Sequence, residues 1–136
     1  PKLNQVETFL CENKVHRQHV IENIAKLVVK PANASGGYGI MIGPKAPKKE
    51  REEMVKKIKK NPREFVAQPL EILSTIPTIC ENGIEPRHLD LRPFILTGKT
   101  SYVTTGGLTR VALRKGSTIV NSSQGGGSKD TMVVDA

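Results

Sequence analysis

Apolar and polar positions change their period once along this chain. Between residues 13 and 61, two stretches carry apolar residues at helical spacing. Val20, Ile21, Ile24 and Ala25 form one stripe, behind an Asn13 that can accept N–H bonds at a helix start. This predicts a helix from Asn13 to about Lys26. Met54, Val55 and Ile58 form a narrower stripe and predict a second helix over 48–61. Its Glu50, Glu52 and Glu53 precede Lys56, Lys57, Lys59 and Lys60, an order that complements the helix dipole. Glu52 with Lys56, and Glu53 with Lys57, are favourable neighbours on one helix face. Around and between the helices, 6–10, 27–29, 39–43 and 65–70 are short apolar runs of strand length.

Beyond residue 70 the pattern turns to β. Strands are expected at 74–81, 86–96, 102–105 and 108–113, with Asn82-Gly83 and Thr97-Gly98 as turns. Ile119-Val120 and 132–134 read as strands, and 121–130 as a loop. The expected fold is α+β, a mostly antiparallel sheet with two helices. Nothing repeats internally, and no linker is long enough to divide the chain.

Composition adds two constraints. Only 4% of the 136 residues are aromatic and none is Trp, so the core is expected to rest on Ile, Val and Leu. The net charge is +8, but residues 45–63 alone hold nine Lys/Arg against three Glu. One solvated helix therefore carries most of the basicity, a weak footprint for nucleic acid without interleaved aromatics. Cys11 and Cys80 lack metal-binding spacing and read as reduced thiols of a cytoplasmic protein. His16 and His19 could share a helix face beside Cys11, yet no fourth zinc ligand is spaced for them. No apolar run is long enough to span a membrane.

The candidate chemistry starts at Lys30. It ends an apolar strand and precedes Ser35-Gly36-Gly37-Tyr38-Gly39. A point charge followed by glycines whose N–H groups can approach a ligand suits a polyphosphate. A plain glycine hairpin with a solvated lysine fits the same residues. It is neither a Walker loop nor a dinucleotide fingerprint, because the glycines lead into a strand. Later, His88, Asp90 and Arg92 alternate with Leu89, Leu91 and Pro93, which sends the three polar groups to one strand face. An ion pair or an anion site is consistent with that face. Arg110 follows a Gly-Gly pair. Asn121, with Ser122 to Gly127, makes a donor-rich loop ending near Lys129, suited to an oxyanion or to plain flexibility.

These segments, with 65–69 (FVAQP), 86–94 (PRHLDLRPF), 106–113 (GGLTRVAL) and 120–130 (VNSSQGGGSKD), resemble the circularly permuted type 2 ATP-grasp family from about Val6 to Val134. The resemblance implies a partial ATP-grasp domain, 1–70 carrying the lysine and glycine loop and 71–136 the β-rich remainder. It implies ATP as cofactor and ligation of a small carboxylate to an amine through an acyl phosphate. By resemblance, Lys30 binds phosphates, and Ser35, Gly36, Gly37 and Gly39 close over them. The backbone at Ala67 and Gln68 meets adenine, and Glu71 lies near the ribose. Asp90 and Arg92 face the phosphates or the acyl phosphate, with Arg110, Asn121 and Lys129 nearby and Arg87 as a further phosphate ligand.

The family also holds Mg2+ with acidic residues and an asparagine, placed before the lysine in permuted members. The residues before Lys30 include no Asp. The metal ligands are therefore expected upstream of Pro1, in the rest of a longer parent polypeptide, and the isolated chain is expected to be inactive. A noncatalytic nucleotide-binding module of the same fold is the competing reading, and a nucleic-acid domain built on the basic helix is a third.

Overall fold

The structure, a computed structural model, describes residues 5–34, 36–120 and 125–134. The chain divides into two compact units, Pro1–Glu71 and Ile72–Ala136. Among the described residues, two α-helices and two four-stranded antiparallel sheets make it an α+β protein.

The first unit contains β1 (Phe9–Leu10), α1 (Lys14–Glu22), β2 (Leu27–Pro31), β3 (Met41–Ile42), α2 (Lys48–Lys60), a 3-10 turn (Pro62–Glu64) and β4 (Phe65–Pro69). Its sheet runs in the order β1-β4-β2-β3. Asn13 caps α1 as expected, its Oδ1 accepting from the N–H groups of Val15 and His16 at 2.8 and 3.2 Å. The helix ends at Glu22, earlier than its stripe suggests. Asn23 turns the chain there, its N–H donating to the His19 carbonyl, and Ile24 is buried from the turn instead of the helix. Leu27, Val29, Met41 and Ala67 line the sheet face that packs with Val20, Ile24, Met54 and Ile58. Met41, Met54 and a fully buried Cys11 do work expected of Ile, Val and Leu.

The second unit contains β5 (Thr75–Cys80), β6 (Gly83–Thr97), β7 (Ser101–Ala112) and β8 (Gly126–Lys129), in that order across its sheet. The expected strands at 102–105 and 108–113 are one strand, β7. The register against β6 shifts between Pro93 and Ile95, and Gly106 takes a φ of +89° in the irregular stretch. Residues 119–120 and 132–134 are not strands. The expected loop holds β8, which pairs Gly126 to Lys129 with Ala112 to Thr109. Thr78, Arg87, Thr109, Val111, Ala112 and Val120 are buried here.

Candidate functional site

In the first unit, β2 and β4 pair with Val28 opposite Gln68 and Lys30 opposite Val66. Alternation therefore puts Lys30 and Gln68 on the same sheet face, opposite the one that packs with the helices. They meet there on the diagonal. The Lys30 ammonium donates to Gln68 Oε1 at 2.6 Å, a short charge-assisted bond. The Gln68 amide in turn donates to Thr8 Oγ at 2.8 Å. Ala67, one residue earlier, is fully buried on the helix side and offers backbone only.

The loop between β2 and β3 carries three left-handed glycines, Gly36, Gly37 and Gly39, at φ of 70°, 78° and 72°. A side chain at Gly39 would come within 2.9 Å of the Pro31 ring, so the loop lies close to the strand end that carries Lys30. Ser35 falls outside the described residues. Past β3, Arg51 of α2 donates to the carbonyls of Gly43 and Ala46 at 3.2 and 2.9 Å, fixing the turn into the helix. Neither Thr8 nor Arg51 stood out in the sequence. Thr8 is an isolated threonine in a loose segment, and Arg51 is one charge among many.

In the second unit, Asp90 sits opposite Arg110 on β7, and Arg110 opposite Ser128 on β8. Asp90, Arg92, Arg110 and Ser128 thus share one face. Arg92 clamps Asp90, with Nε 3.2 and 3.3 Å from the two carboxylate oxygens and Nη2 at 3.1 Å. Arg110 donates Nη1 to Ser128 Oγ at 3.1 Å, while its buried Nε has no partner among the described residues. His88 is tied by Nδ1 to the Leu73 carbonyl at 2.8 Å. Lys129 lies on the other face, opposite Thr109, and donates to the Pro77 carbonyl at 3.0 Å. Asn121 falls outside the described residues.

Arg87 has a different place from that expected of a phosphate ligand. It is 6% exposed, and its donors are spent within the unit. Nε reaches the Leu113 carbonyl and Nη1 the Pro86 carbonyl, each at 3.0 Å, and Nη2 pairs with Glu85 at 2.7 Å. That Arg87 hydrogen bond, helped by Lys115, holds the Glu85 carboxyl below its usual range. In α1, His16 accepts from the Leu10 N–H, and both His16 and His19 pack on the Phe9 ring. Among the described residues no group of three or more His, Cys, Asp or Glu could hold a metal ion, and no helix is long and apolar enough to cross a membrane.

The lysine and glycine hairpin thus lie on one antiparallel sheet and the Asp-x-Arg strand on another. Residues 1–112 match the model of the circularly permuted ATP-grasp type 2 family, and the chain belongs to that family. It is 53% identical to an uncharacterized protein of Synechocystis sp. and 50% identical to one of Mycobacterium tuberculosis. It is also 44% identical to a Frankia casuarinae protein named "Putative glutamate--cysteine ligase 2-2". Each match covers 98% of this chain, but only 28%, 24% and 15% of the respective relative. The chain thus spans between 15% and 28% of these relatives' length.

Proposed function

We propose that the chain is the nucleotide-gripping part of an ATP-dependent carboxylate–amine ligase that works through an acyl phosphate in the cytoplasm. The observation that carries this reading is Lys30. In a family member, a lysine lies one residue from the end of a strand, on the face away from the helices, beside a hairpin of left-handed glycines, with its ammonium held by Gln68. Lys30 supplies the point charge for the phosphates, and Gly36, Gly37 and Gly39 let backbone come close to them. The strand at Ala67 and Gln68 borders the adenine. Asp90, Arg92 and Arg110 form the anion-facing surface for the transferred phosphoryl group or acyl phosphate. Arg92 and Arg110 stabilise negative charge there, and Asp90 orients Arg92. The ligase-type name of the Frankia relative supports this reaction class. Among the described residues no group of three or more His, Cys, Asp or Glu could hold a metal ion, and the reading expects the magnesium ligands from another part of a longer polypeptide.

The test is an NMR titration of the chain with ATP. Shifts are expected first at Lys30, Gly36, Gly37, Gly39 and Gln68, and Lys30→Ala should weaken the binding about tenfold or more, as for loss of one charge-assisted contact. Shifts confined to residues 48–63 would sink the reading and indicate a nonspecific polyanion site.

A further inference from the structure

The Lys30–Gln68 contact continues one residue further, into a polar chain with one consistent direction. Thr8 Oγ donates to the Val6 carbonyl at 3.1 Å. Its hydroxyl proton is thereby used, and its lone pairs face outward to accept. Gln68 Nε2 donates to that oxygen at 2.8 Å. The amide nitrogen is committed to Thr8, so Oε1 must point the other way, where the Lys30 ammonium donates to it at 2.6 Å. A flipped amide would set its NH2 against the ammonium and leave Thr8 facing an oxygen it has no proton to meet. The register supports the arrangement, since Phe9 pairs with Ala67 and places Thr8 beside Gln68.

We propose that Thr8 is a positioning residue. It sets the orientation of the Gln68 amide, and through that amide it holds the Lys30 ammonium at a fixed place on the sheet face. Gln68 Oε1 stands where a phosphate oxygen can succeed it, so the lysine is aimed before any anion arrives. As a statement about nucleotide, the proposal rests on the function given above. As a statement about Lys30, it stands alone.

The experiment follows the order of the Lys30 side chain by 13C relaxation of labelled lysine ε-methylenes, with the Lys30 signal assigned by its loss in Lys30→Ala. Thr8 is exposed, so Thr8→Val should leave circular dichroism and melting unchanged. Wild type and Thr8→Ser are expected to show an ordered Lys30, Thr8→Val and Gln68→Ala a mobile one. Thr8→Val should also weaken ATP about three- to tenfold, the worth of one hydrogen bond, with Thr8→Ser restoring it. A Lys30 equally ordered in Thr8→Val and wild type overturns the proposal, whatever ATP does. If wild type binds no ATP while the relaxation pattern appears as expected, the proposed function fails and the positioning role of Thr8 stands.

Discussion

Cys11 and Cys80 have the same side chain but differ in burial, Cys11 being buried and Cys80 half-buried. Cys11 is fully buried in the core of the first unit, and burial pushes its thiol up, with Arg17 opposing. Only the thiolate attacks a disulfide reagent. Cys80 is expected to react with such a reagent in native protein, and Cys11 only at the rate of unfolding. Rapid labelling of both would show that the packing around Cys11 opens readily. Glu85 gives the opposite pH signature. Its carboxyl is held low by Arg87, so the native state favours its charged form. Its stabilising effect is present above the ordinary glutamate pKa and lost as pH falls through the lowered one. Glu85→Gln should therefore flatten the acid side of the stability curve while leaving neutral binding of ATP unchanged. Melting curves between pH 3 and pH 7, roughly the range spanning carboxylate titration, would read it. The Asp-x-Arg face was legible because alternation alone puts Asp90 and Arg92 together. The internal role of Arg87 was not: Glu85 lies two residues before it, but its other partners are the Leu113 and Pro86 carbonyls, which no side-chain pattern marks.

Elements with strong apolar periodicity were readable, and those built from backbone alone were not. The amphipathic α2 spans Lys48–Lys60, almost as its stripe implies. In contrast, β8 is Gly-Gly-Ser-Lys and has no hydrophobic signal. It exists because its amides complete the edge of β7. Gly43 shows how tightly such backbone contacts can fit. A Cβ there would lie 2.0 Å from the Ile24 carbonyl oxygen and 2.6 Å from that of Leu27. Gly43→Ala should destabilise the chain by about 2–3 kcal/mol, the cost of forcing extra volume into a packed site. Urea melts would measure it, and an unchanged midpoint would mean that the turn yields freely. The lysines of α2 lie on its solvated side, apart from the Lys30 face. Replacing Lys56, Lys57, Lys59 and Lys60 by Gln is expected to leave ATP binding intact. Its abolition in a folded variant would put the helix in the site.

At the scale of the whole molecule, each unit carries its own charge-handling surface. Lys30 and the glycine loop belong to the first, and Asp90, Arg92 and Arg110 to the second. The family was legible from the order of these motifs, whereas Thr8 was invisible until the strands were paired. Phosphoryl transfer also needs a counterion for the phosphates, normally magnesium held by carboxylates. Arginine and lysine can stabilise the same charge but cannot ligate a cation. Asp90 is the carboxylate on the arginine face of the second unit's sheet, and it is already clamped by Arg92. The 136 residues alone are therefore expected to release no ADP above background from ATP, magnesium and mixed amino acids or short peptides, in a coupled assay. A polypeptide of the relatives' length that carries this segment is expected to turn over, and Lys30→Ala or Arg92→Ala should each lower its rate about a hundredfold or more, the usual scale for losing one charge-stabilising donor. Robust magnesium-dependent turnover by the 136 residues would place the metal site within them, with Asp90 and Asn121 the first ligands to replace.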